Sequence, residues 1–274
     1  MNRAFSFLLV AASIVALGFL LLPIAAIFLQ IPPGDLFARL GDDAAVDALL
    51  VTLKTNAVAN VLILAFGTPT AYLIAGRRFR GRALAVTLVE LPLVLPPAVA
   101  GIGLIAAFGR AGLLGDTLDV LGLQIAFTQL AVVLAVTFVA SPFYVRAAIA
   151  AFEGIDPALP AAARTLGAGP ARTFFRVALP LAAGGLGAGW ALAFARGLGE
   201  FGATIMFAGS LQGVTQTLSL AVYEQFDVDF DTALAIGAEL VVVSALILLA
   251  VKLVPAWNRS GSISTTPFVP SGSG

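Results

Sequence analysis

The sequence predicts an all-α integral membrane protein with about six transmembrane helices. Of its 274 residues, 60% are hydrophobic and 11% are charged, whereas a soluble domain carries about 25% charged residues. Six apolar runs have roughly the 20 residues that a helix needs to cross about 30 Å of hydrocarbon. Basic residues gather on one side of these runs and acidic residues on the other. Together the three observations favour a multi-pass helical bundle.

The six runs, in chain order, are residues 7–29, 49–75, 83–108, 127–148, 181–198 and 234–254. The first run follows Arg3, as the apolar part of a signal peptide would. It is too long for a signal peptide, and no small-residue cleavage site ends it. We therefore expect it to be retained as a helix. The third run is interrupted by prolines, and the fifth ends in a glycine-rich turn.

The distribution of basic residues predicts the orientation. With the N-terminus in the cytoplasm, only Arg39 and Arg110 lie outside, while Lys54 and Arg196 fall within or near spans. The cytoplasmic set contains eleven residues: Arg3, Arg77, Arg78, Arg80, Arg82, Arg146, Arg164, Arg172, Arg176, Lys252 and Arg259. This bias follows the positive-inside rule. It places both termini in the cytoplasm and leaves the outer loops acidic.

We divide the chain into three parts. Residues 1–48 hold the first transmembrane helix and an acidic outer loop, and residues 49–254 form a five-helix transmembrane domain. Residues 255–274 are rich in Ser, Gly, Thr and Pro, a composition typical of a disordered tail.

Several classes of site are excluded by composition. The chain has no Cys and no His, so it has no disulfides, no thiolate or imidazole metal site and no His-dependent catalysis. The net charge is zero, which gives no general attraction to nucleic acid. The segment 197–202 spells G-x-G-x-x-G, but it ends a membrane span and does not follow a strand, so we reject dinucleotide binding.

A polar segment at residues 150–180 separates the fourth and fifth runs. Asp156 and Pro157 predict a helix start, and Ala-rich residues 158–166 favour a helix. Gly167 and the pair Gly169-Pro170 would end that helix. A second short amphipathic helix is predicted at 171–177. The simplest interpretation is a pair of membrane-surface helices that joins two spans; the alternative is a docking surface for a soluble protein.

The same segment resembles a motif of membrane subunits of ATP-binding-cassette importers, E-A-A-x-x-x-G-x9-I-x-L-P. The matching residues are Ala162, Ala163, Gly167, Val177, Leu179 and Pro180, with Arg164 inside the motif. Ala161 stands where the family usually has Glu. In that family the loop forms a coupling helix that enters a cleft of the ATPase subunit. The resemblance thus implies a type I importer permease, with residues 150–180 as its coupling loop.

Three further stretches, residues 91–97, 198–209 and 212–218, resemble the permeases of molybdate importers, with sulfate and tungstate permeases next. The resemblance implies an ATP-driven permease for a tetrahedral oxyanion in a prokaryotic plasma membrane. It also implies a second copy of the permease, ATPase subunits that carry ATP and Mg, and an extracytoplasmic oxyanion-binding protein. The chain lacks a P-loop motif, so we expect it to hold no cofactor and no ATPase site of its own.

Two groups of residues are candidates for the translocation pathway and its gate. Pro92, Pro96 and Pro97 remove backbone donors within a span, which predicts either a packed kink or a broken helix that lines the pathway. Gly199, Glu200, Phe201 and Gly202 follow the fifth span. One interpretation of Glu200 is a residue at the membrane interface that is hydrogen-bonded to backbone or paired with Arg196. The other is a residue that holds the shape of a gate, with Phe201 and the flanking glycines as the constriction.

Two rival functions remain open on the sequence. A secondary transporter would need an ion-coordinating constellation and usually inverted repeats, and no such repeat is visible. An intramembrane enzyme would need converging catalytic side chains, for which the absence of His and Cys leaves few options.

Overall fold

A computed structural model describes the backbone of residues 3–76 and 79–259 and the side chains of residues 5–76 and 79–250. Arg77, Arg78 and the predicted tail from residue 260 onward lie outside the described residues, as do the side chains of Arg3, Lys252 and Arg259. Within the described ranges the regular structure is helical. The helices are α1 (Arg3–Gln30), α2 (Pro33–Leu40), α3 (Asp43–Gly76), α4 (Arg82–Val94), α5 (Pro97–Phe108), α6 (Gly115–Val120), α7 (Gln129–Glu153), α8 (Ala158–Thr165), α9 (Pro170–Thr173), α10 (Leu179–Leu198), α11 (Gly202–Ala208), α12 (Leu218–Phe226) and α13 (Phe230–Arg259).

The prediction of about six transmembrane helices is confirmed, with one change of shape. Five helices are long and apolar enough to cross a membrane: α1, α3, α7, α10 and α13. The third predicted span consists of two half-helices, α4 and α5, which meet at an angle of 112°. This span is therefore broken and not straight.

Two predicted domain boundaries fall inside helices. The helix α3 begins at Asp43, so the division at residue 48 cuts its second turn; an acidic first turn stabilises a helix N-terminus. The helix α13 continues to Arg259, so the division after residue 254 falls within it. Apolar length sets where a span is, whereas capping and packing set where its helix ends.

The centre of the bundle is formed by α3, α7 and α10. The last two approach closely because α10 presents Gly185 and Gly189. A Cβ built on Gly185 would lie 2.5 Å from Ala151 Cβ, and one on Gly189 would lie 2.6 Å from Ala147 Cβ. The G-x-x-x-G pattern in α10 is thus a helix-packing signal.

Polar side chains join α3 to α10 at a second point. The Asn56 amide donates to the Phe194 carbonyl at 3.1 Å, and the Asn60 amide donates to Asn56 Oδ1 at 3.0 Å. Both asparagines are buried. A Cβ on Gly197 would lie 2.2 Å from Asn56 Oδ1, so only glycine fits beside this side chain.

The short helix α2 is tied to the start of α13 by charge. The Arg39 guanidinium donates to Asp229 Oδ2 and to the Thr232 hydroxyl, and Asp231 lies 3.6 Å from Arg39 Nη2. Hydrogen bonds from Arg39, and then from Thr232, lower the pKa of Asp229 from 3.8 to about 2. The same contact with Asp229 raises the pKa of Arg39.

Candidate functional site

The loop that connects α7 to α9, residues 154–169, projects from one end of the bundle; we call it the α8 loop. The helix α8 begins where Asp156 Oδ1 accepts the Ala158 N–H at 2.9 Å. It ends at Thr165, and two residues later Gly167 has a φ of +83°, the left-handed conformation that favours glycine. Gly169 has a φ of −67°, so the left-handed turn depends on Gly167 alone.

The α8 helix buries none of its residues. Ala161, Ala162 and Arg164 are exposed and Ala163 is half-buried; the Arg164 side chain bonds back to the Pro160 carbonyl. Leu159 and Leu166 are exposed as well, the latter to 87%. A helix that leaves small and apolar side chains unburied presents a surface that another molecule can cover.

The segment after the α8 loop differs from the prediction. The expected separate helix at 171–177 is instead a short turn of α9 followed by a π-helical turn, Phe174–Ala178, which runs directly into α10. Within it Val177 is half-buried; Leu179, also half-buried, and the exposed Pro180 begin α10.

An aromatic cluster anchors this segment to the bundle. The Phe174 ring lies 4.7 Å from that of Tyr72 at the end of α3 and 6.4 Å from that of Phe152 at the end of α7. The Thr173 hydroxyl donates to the Gly169 carbonyl at 3.1 Å. The α8 loop is therefore followed by a segment that contacts the ends of α3 and α7 and continues into α10.

The broken span owes its bend to consecutive prolines. Pro92 lies inside α4, which ends at the extended residue Leu95. Pro96 precedes α5 and Pro97 is its first residue, a position where the missing N–H costs nothing. The sequence left a packed kink and a broken helix as alternatives, and the 112° angle matches a broken helix. The half-helix α5 is also packed against α11.

The helix α5 lies against α11, with almost no space between the backbones. A Cβ on Gly101 would lie 2.8 Å from the Ala203 carbonyl oxygen. On the opposing side, Gly202 faces Pro97, where a Cβ would lie 2.6 Å from the proline Cβ. Of the predicted gate residues, Pro97 and Gly202 are thus in contact.

Glu200 is 2% exposed and fully engaged with protein. Its Oε1 accepts the Ala203 N–H at 2.7 Å, and its Oε2 lies 2.6 Å from Arg196 Nη2, as an ion pair without hydrogen-bond geometry. The Ser219 hydroxyl donates to the Glu200 carbonyl at 2.6 Å. The predicted pairing with Arg196 and with backbone is confirmed. Glu200 consequently fixes α10, α11 and α12 to one another.

Phe201 and Gly199 occupy the turn around Glu200. The half-buried Phe201 ring lies 4.9 Å from the ring of Tyr223 on α12. Gly199 is exposed and no atom lies within 4 Å of the position that its Cβ would take. Of the two glycines, Gly202 is the one that packing requires.

The two groups of predicted site residues are at opposite ends of α7. Near the start of α7 the Phe127 N–H donates to the Phe207 carbonyl of α11, and the end of α7 leads into the α8 loop. A helix of 25 residues is about 37 Å long. The structure therefore brings Pro97 and Gly202 together and separates them from the α8 loop. Pro92 lies further along α7, because Glu90, two residues before it, pairs with Arg146.

Two ion pairs between α4 and α7 were not foreseen from the sequence. Arg82 pairs with Glu153, and Arg146 Nε lies 3.1 Å from Glu90 Oε1. Such pairs form because α4 and α7 are neighbours, and the sequence alone does not show which helices are neighbours.

Known proteins resemble this chain over most of its length. The family model described as binding-protein-dependent transport system inner membrane component matches residues 64–258. The molybdenum transport system permease protein ModB of Mycobacterium tuberculosis is 44% identical over 241 residues, which cover 87% of this chain and 90% of that protein. The sulfate transport system permease protein CysT of Escherichia coli is 33% identical over 237 residues, 85% of this chain and 86% of that protein.

A solved structure shares the fold. A bacterial alginate ABC transporter, crystallised in complex with an alginate-bound periplasmic protein, has a chain that matches with a TM-score of 0.70 at 19% identity. The match covers 95% of this chain and 96% of that one.

Proposed function

This chain belongs to the family of binding-protein-dependent transport system inner membrane components, and from that membership we propose that it is the permease subunit of an ATP-driven molybdate importer. It is a multi-pass membrane protein with the fold of type I ABC importer permeases. In the proposed complex two copies sit side by side in a prokaryotic plasma membrane. ATPase subunits bind on the cytoplasmic side, and a binding protein delivers the anion from outside.

The choice of molybdate is carried by the 44% identity to a molybdenum permease over 87% of the chain. The sulfate permease is a more distant relative, at 33% identity, so sulfate is the second candidate and tungstate, which shares the tetrahedral shape, the third. The permease itself supplies a conduit; the binding protein that presents the anion selects among them.

The α8 loop is the proposed contact with the ATPase, the subunit that holds ATP and Mg. Three properties support this role: α8 buries none of its side chains, Gly167 gives it a fixed end, and the aromatic cluster around Phe174 ties it to the helices. Arg164 in the loop and Arg172 and Arg176 just after it are exposed, which agrees with a cytoplasmic position.

The proposed gate is the turn 199–202 with the broken span beside it. A carboxylate facing a doubly negative oxyanion would repel it, but the Glu200 carboxylate points into protein contacts and is paired with Arg196. It positions Phe201 and α11 and does not bind the anion. Nucleotide-driven movement of the α8 loops would then switch two arrangements of the helices.

An ion-coupled secondary transporter has less support. Such a carrier needs a group of ligands that coordinates an ion near the middle of the membrane, and it usually has inverted repeats, of which the sequence shows none. Among the described residues, no group of three or more Asp or Glu side chains is placed to hold a metal ion, and Glu200 is occupied by Arg196 and Ala203.

The test is purification from native membranes followed by reconstitution with the copurifying ATPase and binding protein in vesicles. We expect ATP-dependent uptake of molybdate, with sulfate a weaker competitor. Uptake that persists without ATP, or a chain that purifies with no ATPase, would contradict the importer. Preferential uptake of sulfate would contradict only the choice of anion.

A further inference from the structure

The half-helix α4 is held to the bundle in an unusual way for a segment of a membrane span. It buries none of its residues, and Ala85, Val86 and Val89 pack only partly against the core formed by α3, α7 and α10. Its polar attachments are the two ion pairs to α7 and a hydrogen bond from Arg82 Nε to the Ile74 carbonyl at the end of α3. Charged groups therefore join α4 to α7 at two separate points.

The two ion pairs are in antiparallel register. Arg82 and Glu90 are separated by eight residues, about 12 Å along α4, and Arg146 and Glu153 by seven residues, about 10 Å along α7. Arg82 faces Glu153, and Glu90 faces Arg146. A slide of one helix turn along α7 would break both pairs at once, so together they define one position of α4 even though single exposed ion pairs contribute little.

The far end of α4 leads to the gate. After the bend at Leu95, α5 is interlocked with α11 through Gly101 and Gly202, which leave no room for a Cβ. The near end, at Arg82, is paired with Glu153, the last residue of α7 before the α8 loop. The broken span is thus attached at one end to the last residue of α7, next to the α8 loop, and at the other to the turn 199–202.

We propose that Arg82, Glu90, Arg146 and Glu153 are positioning residues that make α4 move with the α8 end of α7. A displacement of the α8 loop then reaches the bend at Leu95 and, through α5, the turn 199–202. This inference rests on the proposed function, because it takes the α8 loop to be where the ATPase applies force. It assigns to the ion pairs the task of coupling ATP hydrolysis to opening of the gate.

The test uses charge exchange in the complete reconstituted complex. Glu90→Arg and Arg146→Glu each place like charges together, and each is expected to lower molybdate uptake per ATP hydrolysed about tenfold, within the range of measured coupling between sites, while ATPase copurification is retained. The double variant E90R/R146E restores the pair and should recover most of the uptake. The matched control is Arg110→Asp, which breaks the exposed Arg110–Asp119 pair beside α6 and should leave uptake unchanged.

A crosslink keeps the test decisive if a charge variant folds poorly. The chain has no cysteine of its own, so R82C/E153C can be bridged with a short bifunctional thiol reagent. We expect reduced uptake before bridging and recovery after it, because the bridge replaces the ion pair. Three results would overturn the proposal. They are single variants with normal uptake per ATP hydrolysed, a folded E90R/R146E protein whose uptake does not recover, and a bridge that lowers uptake further. Wild-type uptake in the same vesicles tests the proposed function separately.

Discussion

Gly202 and Pro97 are packed so closely that a Cβ on Gly202 would lie 2.6 Å from Pro97 Cβ and 3.2 Å from the Ala98 nitrogen. The contact joins the first residue of α11 to the first residue of α5. Neither obstacle is the flexible end of a side chain, so an added methyl group would have to displace a helix.

Replacement of Gly202 by alanine should therefore separate α5 from α11. We expect Gly202→Ala to lower the free energy of unfolding by about 1–3 kcal/mol, the usual cost of overpacking, and to reduce uptake. Thermal unfolding in detergent measures the first effect. Gly199→Ala is the matched control, because Gly199 is exposed with no atom near its Cβ position. Equal stabilities of the two variants would show that the close contact is not a constraint.

The Glu200 carboxylate should stabilise the fold through two distinct contacts. Glu200→Ala removes the acceptor of the Ala203 N–H and leaves Arg196, which is 28% exposed, without its counter-charge. We expect a loss of roughly 3 kcal/mol, the lower end for breaking a buried pair. Glu200→Gln keeps an acceptor for Ala203 and should lose less. The unfolding midpoints of both variants measure these losses. The double variant E200A/R196A should lose less stability than Glu200→Ala and Arg196→Ala lose together.

The positions of the spans were predictable because bilayer thickness requires long apolar runs. The two ends of the α8 helix were predictable for a local reason: Asp156 accepts backbone N–H groups and Gly167 adopts a left-handed φ. In each case the determinant lies within a few residues of the feature, where the sequence displays it directly.

The features that escaped prediction depend on distant residues. Pro96 and Pro97 indicated where the third span breaks, but the 112° angle depends on how α5 packs against α11. Asn56 is notable in a span as a polar residue, yet its partner, the Phe194 carbonyl, is 138 residues away. The pairing of Glu90 with Arg146 likewise requires knowing that α4 lies beside α7.

The contact between α2 and α13 should depend on pH at the acidic end. Because Arg39 and Thr232 lower the pKa of Asp229 from 3.8 to about 2, the stabilisation is complete above the unfolded value and is lost as the pH falls through the folded value. Docking of α2 should thus be constant near neutrality and weaken from about pH 4 to about pH 2. An environment-sensitive fluorophore on Phe37→Cys, in a chain without other cysteines, reports the docking.

Asp229→Asn should abolish this pH response, with docking already weak at neutral pH. Asp116→Asn, on α6 and away from Arg39, is the control and should retain the wild-type profile. An acid transition that survives in Asp229→Asn would mean that another group titrates, and the pairing with Arg39 would not control the position of α2.

The left-handed turn at Gly167 should determine whether the ATPase binds. A side chain at a φ of +83° costs about 1–2 kcal/mol, and proline, which fixes φ near −65°, cannot adopt this conformation at all. We expect Gly167→Ala to weaken copurification of the ATPase and Gly167→Pro to abolish it, with membrane insertion intact in both.

Gly169→Ala is the control, since Gly169 has an ordinary φ of −67° and open space around it. Because no atom lies within 4 Å of the Cβ position at Gly167 either, the two alanine variants differ only in backbone strain. If both bind the ATPase as the wild type does, the shape of the α8 loop is not what the ATPase recognises.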